Sequence, residues 1–132
     1  VLGMGRVGKG AYDYLHERFG ESLVGVDIDG RKVEQLRQSG RNVILGDPLD
    51  HEFWRRIDTV REGLDLVLLA MPQQRENLAA IQILKDRGYQ GRFAAIARHQ
   101  DQLEELKAHG VSSAFSRWTV GCILGWSEGL AA

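Results

Sequence analysis

The chain has 132 residues, of which 43% are apolar and 27% are charged, and its formal net charge is −1. These values are ordinary for one globular domain, and they give no electrostatic reason to expect nucleic acid or an anionic membrane as a partner. The single cysteine, Cys122, excludes an internal disulfide framework, and the four histidines are dispersed without the paired spacing of a zinc site. No run of about 18 apolar residues is present.

Short apolar runs alternate with amphipathic stretches along the chain, which predicts alternating strands and helices. In chain order we predict a strand ending at Val1–Leu2, a helix over 6–19, a strand over 23–27, a helix over 31–39, a strand over 42–47, a helix capped by Asp50 that reaches Ile57, a strand over 64–70, a helix through 78–84 that ends near Gly88, a strand over 92–97, a helix over 102–109 and a strand over 113–115. A last helix over 119–132 is disfavoured by its three glycines.

This alternation predicts an α/β fold, a Rossmann-like doubly wound parallel sheet of about six strands with helices on both faces, in one domain over 1–132. A buried central strand needs about five residues. Because the first predicted strand has only Val1 and Leu2, we expect the chain to be a fragment of a larger protein.

Three glycines, Gly3, Gly5 and Gly8, are spaced as G-x-G-x-x-G between the first strand and the first helix. Gly3 permits a tight turn, Gly5 lets backbone approach a phosphate, and Gly8 allows the helix to pack closely on the sheet. The N–H groups at the start of the helix then face an anion. Glycine-rich turns without a ligand are also common, so the context of the motif decides its meaning.

An acidic residue, Asp27, ends the second predicted strand about 20 residues past the glycines, where dinucleotide-binding folds hold the adenosine ribose. Asp29 is a second choice for this contact. The alternative is that Asp27 merely ends a strand or caps a helix. A carboxylate also disfavours a ribose 2′-phosphate and hence NADP, although Arg31 and Lys32 lie close enough to soften that effect.

The chain resembles the RCK/KTN (TrkA-N) family of cytosolic nucleotide-binding regulators of potassium channels and transporters. The resemblance rests on Gly3-x-Gly5-Arg6-Val7-Gly8, Val26-Asp27-Ile28-Asp29, Val43-Ile44-Leu45-Gly46-Asp47, Leu69-Ala70, Asn77-Leu78 and Ala95-Ile96-Ala97-Arg98. Within that family the sequence is most similar to the domain of Kef-type glutathione-regulated potassium-efflux antiporters.

The resemblance implies a non-catalytic sensor without a metal that binds an adenine nucleotide and forms a homodimer. It also implies a location in the cytoplasm at the inner face of the membrane, attached to a potassium transporter domain upstream in the same polypeptide. By position, Gly5, Arg6 and Val7 would hold phosphate and Asp27 the ribose. Further implied contacts are Ile28, Gly46, Asp47 and Pro48 around adenine and Ala70 and Met71 on the floor of the site. Asn77 is either a ligand contact or an exposed residue at a helix start.

Two departures from the family pattern bear on the ligand. Pro48-Leu49 stands where the family often has Ala-Thr, which changes the residues that would contact the edge of the adenine. The segment 71–74 (Met-Pro-Gln-Gln) replaces a threonine and an acidic pair, which removes polar groups from the place of a second phosphate or nicotinamide ribose. We therefore expect AMP or a related mononucleotide, with NAD(H) as the alternative.

Two other functions remain open. One is the cofactor-binding half of an NAD-dependent dehydrogenase, although too few residues follow the last strand for a substrate domain and no His–acid pair is placed as a base. The other is a Rossmann scaffold with an empty cleft that serves dimerisation. The sequence does not assign a role to Arg75, Arg98 or Cys122.

Overall fold

A computed structural model describes residues 1–57 and 63–116, in which helices and parallel strands alternate. The elements are α1 (Arg6–Phe19), β1 (Gly25–Asp27), α2 (Gly30–Gln38), β2 (Val43–Leu45), α3 (His51–Arg56), β3 (Leu66–Leu69), α4 (Gln74–Asp86), β4 (Arg92–Ala97), α5 (Gln100–Ala108) and β5 (Ser113–Ser116). None of the helices in this described part is both long and apolar enough to cross a membrane.

The sheet consists of two parallel ladders that the segment at Leu2 joins. β1 pairs with β2, and β4 pairs with both β3 and β5. Leu2 forms parallel bridges to Val26 on one side and to Leu69 on the other. Its N–H donates to the Leu68 carbonyl and its carbonyl accepts from Ala70, both at 2.8 Å. The spatial order is therefore β2–β1–Leu2 segment–β3–β4–β5, a Rossmann-like arrangement that confirms the predicted fold class.

This order reverses direction between the Leu2 segment and β3. From Leu2 the chain builds the sheet outward through β1 and β2, then crosses back to add β3, β4 and β5 on the other side. In open parallel sheets, ligands bind beyond the carboxyl ends of the strands at such a reversal. The glycine motif follows the Leu2 segment directly, and so it lies at that point.

Helices cover both faces of the sheet, as predicted. Alternate residues of β3 point to opposite layers, because successive side chains of a strand alternate in direction. Val67 and Leu69 join a cluster with Ile81 and Leu84 of α4. Leu68 joins a second cluster with Ala11 of α1 and Ile96 of β4. β3 is thus buried on both faces, which explains its continuous apolar sequence.

The sequence located these elements well and their ends less well. The bounds of α1 and of β4 agree with the predictions, whereas β1, β2 and β3 are shorter than predicted. α4 begins at Gln74, four residues before the apolar pattern that revealed it. Asp50 caps α3 as predicted, by accepting the Glu52 N–H at 2.9 Å. The candidate tail helix over 119–132 lies outside the described residues.

Candidate functional site

The glycine turn packs closely on the end of β3. Gly3 has a φ of +96°, and a Cβ there would lie 2.9 Å from the Ala70 carbonyl oxygen. A Cβ on Gly8 would lie 1.7 Å from the Gly3 carbonyl oxygen, which is far inside van der Waals contact. A Cβ on Gly5, by contrast, would meet no protein atom within 4 Å. Packing therefore requires Gly3 and Gly8, whereas Gly5 borders open space.

No side chain caps the N-terminus of α1. Gly5 is its N-cap residue, and the first turn holds no acidic side chain. The N–H groups of Arg6, Val7 and Gly8 consequently lack partners within the helix. In α2 the N-cap aspartate, Asp29, accepts the N–H groups of Arg31 and Lys32, which are the counterparts of Val7 and Gly8. The start of α1 thus offers N–H donors and the positive end of a helix dipole beside the open space at Gly5.

Asp27 is buried at 7% exposure and is bound to the glycine turn. One carboxylate oxygen accepts the Met4 N–H at 2.8 Å, and the other accepts the Asp29 N–H at 2.9 Å. The Lys32 ammonium lies 3.7 Å from the first of these oxygens. Each carboxylate oxygen can accept a further hydrogen bond. Asp27 therefore fixes the turn and retains acceptor capacity. Asp29, the second choice for a ribose contact, is occupied as the cap of α2.

The segment after β2 lies next to Asp27, where the Gly46 N–H donates to the Asp27 carbonyl at 3.0 Å. A Cβ on Gly46 would lie 2.1 Å from the Phe53 ring, so this glycine makes room for the core aromatic. The Asp47 side chain accepts the Leu49 N–H, and the Pro48 carbonyl accepts the Trp54 indole N–H at 2.7 Å. The turn over 46–48 is consequently held by its own local and core contacts.

Two large apolar side chains are exposed on this side of the site. Ile28 is 66% exposed directly after Asp27, and Leu45 is 57% exposed at the end of β2. Exposed aliphatic side chains beside a carboxylate suit a flat apolar ring with polar substituents. The sequence pointed to Ile28 by family position but did not point to Leu45, because its place at the end of a half-buried strand carries no distinctive pattern.

A cleft of about 200 Å³ opens on the other side of the glycine turn. It is lined by Gly5, Arg6, Val7, Ala70, Met71, Pro72, Gln74, Asn77, Ile96, Ala97, Arg98 and Gln102. The structure thus brings six of the predicted site residues together here. Gly3 and Gly8 pack inside the turn and do not line the cleft. Asp27, Ile28 and the turn over 46–48 also lie outside the lining of the cleft.

Polar side chains from α4, from α5 and from Arg98 just after β4 reach this cleft, although the segment over 71–74 contains no acidic residue. Gln74 donates to the Gln102 carbonyl at 2.9 Å and to Glu105 at 3.3 Å, joining α4 to α5. The Gln102 side chain accepts the Arg98 N–H at 3.0 Å. Sequence reasoning missed Gln102, which is contributed by a helix far along the chain.

Asn77 is buried in α4 at 1% exposure, so the alternative of an exposed residue at a helix start is wrong. Helix α4 starts earlier than expected and turns this position inward. The Asn77 side chain binds both backbone polar groups of Met71.

The cleft is electropositive. Arg6 and Arg98 are both exposed lining residues, and within residues 1–57 and 63–116 neither has an ion-pair partner. In the same residues no three histidine, cysteine, aspartate or glutamate side chains come together as metal ligands. Two cations beside an uncapped helix start favour an anionic ligand.

Solved structures with the same fold include nucleotide-associated domains. The NAD(P)-binding domain of an exopolyphosphatase-related protein from Archaeoglobus fulgidus has a TM-score of 0.74 at 24% identity, covering 86% of this chain and 83% of that one. The TrkA-N domain of the inner membrane protein YbaL from Escherichia coli has a TM-score of 0.72 at 20% identity, covering 86% of this chain and 82% of that one.

The third relative is GsuK, whose structure bound to ADP has a TM-score of 0.72 at 16% identity and covers 87% of this chain but 30% of GsuK. The GsuK channel bound to NAD has a TM-score of 0.66 at 17% identity, covering 86% of this chain and 20% of the channel chain. At these identities the likeness establishes the Rossmann-like fold.

No curated protein matches the sequence. The family match, in contrast, extends over residues 1–117 and includes the glycine turn, Asp27 and all of the cleft. The chain belongs to the TrkA-N domain family.

Proposed function

We propose that this domain is a non-catalytic sensor that binds an adenine nucleotide and thereby regulates a potassium transport system. The observation that carries the proposal is the uncapped start of α1 beside the open space at Gly5, joined through the Met4 N–H to the buried carboxylate of Asp27. Phosphate donors and a ribose acceptor are thus connected by one short turn. That combination suits a nucleoside phosphate better than a simple anion.

In this proposal the backbone N–H groups at Gly5, Arg6 and Val7 hold the phosphate, and Asp27 accepts the ribose hydroxyls. Ile28 and the turn over 46–48 border the adenine, with exposed Leu45 as a further apolar contact. A Cβ-sized space is open at Gly5, so the turn has room for a phosphate oxygen. Lys32 near Asp27 partly offsets the carboxylate charge without removing its preference for an unmodified ribose.

AMP is the ligand that we propose first, because the segment over 71–74 lacks the polar groups that often serve a second phosphate. NAD(H) is the second candidate, and the cleft on the far side of the turn favours it. That cleft has about 200 Å³, and Arg98 and Gln102 add polar groups to it beyond those of the segment over 71–74. GsuK structures with ADP and with NAD are known for a protein of the same fold.

We propose further that the domain works as a homodimer attached to a membrane-embedded potassium transporter of the efflux type, similar to Kef systems, at the cytoplasmic face of the membrane. Membership of the TrkA-N family supports this assignment, and relatives of the same fold are parts of an inner membrane protein and of the GsuK channel. A nucleotide that prefers one arrangement of two such domains would shift the equilibrium of the transporter.

A dehydrogenase is less well supported. Such an enzyme needs a group that exchanges a proton near neutral pH beside the nicotinamide. Of the described residues that line the cleft, none is histidine, cysteine, aspartate, glutamate, lysine or tyrosine. The fold is shared with an NAD(P)-binding domain of an exopolyphosphatase-related protein, but a shared fold does not carry an activity.

Calorimetric titration of the purified domain with AMP, ADP, ATP, NAD, NADH and NADP tests the proposal, after any co-purified nucleotide has been removed. We expect saturable binding of AMP and weaker binding of NADP. A preference for NADH or NAD would replace the mononucleotide by a dinucleotide sensor. Absence of binding by all six would refute nucleotide sensing and leave a scaffold that acts by dimerisation.

A further inference from the structure

Asn77 and Asp27 are the two buried polar or charged side chains in the described part of the chain. The Asn77 amide oxygen accepts the Met71 N–H at 3.2 Å, and the Asn77 amide nitrogen donates to the Met71 carbonyl at 3.2 Å. One side chain thus satisfies both backbone polar groups of one residue. Because a buried polar group without a partner is destabilising, the Met71 backbone is held to the Asn77 side chain.

The backbone at Met71 needs such a partner because it lies just past the sheet. The last bond between β3 and the Leu2 segment runs from the Ala70 N–H to the Leu2 carbonyl at 2.8 Å. Pro72 follows, and proline has no N–H to extend a ladder. The Asn77 amide therefore takes the place of the next strand and fixes where the chain leaves β3.

The peptide that Asn77 holds also supports the glycine turn. A Cβ on Gly3 would lie 2.9 Å from the Ala70 carbonyl oxygen and 3.0 Å from the Met71 nitrogen. The Gly3 backbone is thus in close contact with the Ala70–Met71 peptide. Gly8 follows on the same side, because its Cβ would lie 3.4 Å from the Ala70 side chain.

We infer that Asn77 is a positioning residue of the phosphate site rather than a ligand contact. By clamping Met71 it fixes the peptide against which the glycine turn folds, and so it sets the direction of the N–H groups at Gly5 and Arg6. The inference rests on the proposed nucleotide site for its functional part. The phosphate of a bound nucleotide depends on this clamp, whereas the adenosine moiety, on the Asp27 side, does not.

The test compares Asn77→Asp and Asn77→Leu with the wild-type domain. Asn77→Asp keeps the acceptor for the Met71 N–H but loses the donor to the Met71 carbonyl, and Asn77→Leu loses both. Leu84→Val is the matched control, because Leu84 is buried in the same helix about two turns farther along. Urea unfolding first establishes conditions in which each variant is folded, and affinities for AMP and for adenosine are then measured there.

We expect the preference for AMP over adenosine to fall about tenfold in both Asn77 variants, which corresponds to about 1.4 kcal/mol of phosphate binding. The preference should be unchanged in Leu84→Val. If the Asn77 variants fold and keep the wild-type preference, the inference is wrong. Should Asn77→Leu fail to fold, Asn77→Asp alone decides the comparison.

Amide hydrogen exchange provides a second readout that needs no ligand. If Asn77 positions the turn, exchange at the Gly3 and Ala70 N–H groups should accelerate at least about tenfold in the Asn77 variants but not in Leu84→Val. Acceleration confined to Met71 would overturn the inference. A wild-type domain that binds no nucleotide would refute the proposed function, and the exchange data would still decide the role of Asn77.

Discussion

An added methyl group should have very different effects on stability at Gly5 and at Gly8, two glycines near the start of α1. In Gly5→Ala the new Cβ would meet no protein atom within 4 Å, and the backbone there (φ −69°, ψ −167°) is extended and open to any residue. In Gly8→Ala it would lie 1.7 Å from the Gly3 carbonyl oxygen and 2.8 Å from the Gly3 carbonyl carbon.

The magnitudes follow from these contacts. Gly5→Ala should change the free energy of unfolding by no more than about 1 kcal/mol, because it adds no clash and only exchanges one weak N-cap for a weaker one. Gly8→Ala should cost about 3 kcal/mol or more, since two backbone segments must separate by more than an ångström and overpacking of this kind costs about 1–3 kcal/mol even when side chains can adjust. Against a total stability of about 5–15 kcal/mol, the second loss is large.

Gly5→Ala should weaken AMP binding even though it hardly changes stability. The methyl group of Gly5→Ala occupies the space through which a phosphate oxygen would approach the N–H groups of Arg6 and Val7. We expect AMP affinity to fall at least about tenfold, or about 1.4 kcal/mol, in a domain that unfolds like the wild type. Urea unfolding and calorimetric titration of the two variants measure these quantities. Wild-type affinity in Gly5→Ala, or a stability loss there as large as in Gly8→Ala, would refute the reasoning.

Three further predictions follow from single contacts. Asp27→Ala should lower both the AMP affinity and the free energy of unfolding, the latter by about 1–3 kcal/mol, because the buried Met4 N–H loses its acceptor. Asp27→Asn retains one acceptor oxygen, so it should lose AMP affinity with a smaller loss of stability. Equal losses of stability for the two variants in urea unfolding would contradict this. Arg98→Gln should weaken NAD binding about twofold to fivefold and leave AMP binding unchanged in calorimetry, because Arg98 lines the cleft beyond the turn. If the variant also loses affinity for AMP, the arginine lies at the first phosphate instead. Burial and the nearby Asp65 carboxylate raise the pKa of Tyr89 from 10.0 to about 12. Between those pH values the unfolded chain releases a proton that the native state retains, so the free energy of unfolding should fall as pH rises. In urea unfolding, Tyr89→Phe should lack this pH dependence.

Local pattern was enough to predict the alternating elements, the glycine turn and the family. The helix Arg6–Phe19 was located to its ends because a glycine precedes it, an apolar stripe runs along it and a glycine follows it. The parallel sheet followed from alternation, since parallel strands require crossover helices. Both kinds of signal are carried by residues close together in the sequence.

Tertiary structure decided which of those residues share a site. Strand order places the turn after Leu2 beside the ends of β3 and β4, so Arg98 and Gln102 reach a cleft whose other wall is about 90 residues away along the chain. It also buries Asn77, which the sequence left open as a surface residue, and it lets Asp27 stabilise the glycine turn by accepting the Met4 N–H. No local pattern specifies these pairings, because a hydrogen bond across a fold depends on which strands are neighbours, and the whole sheet determines that order.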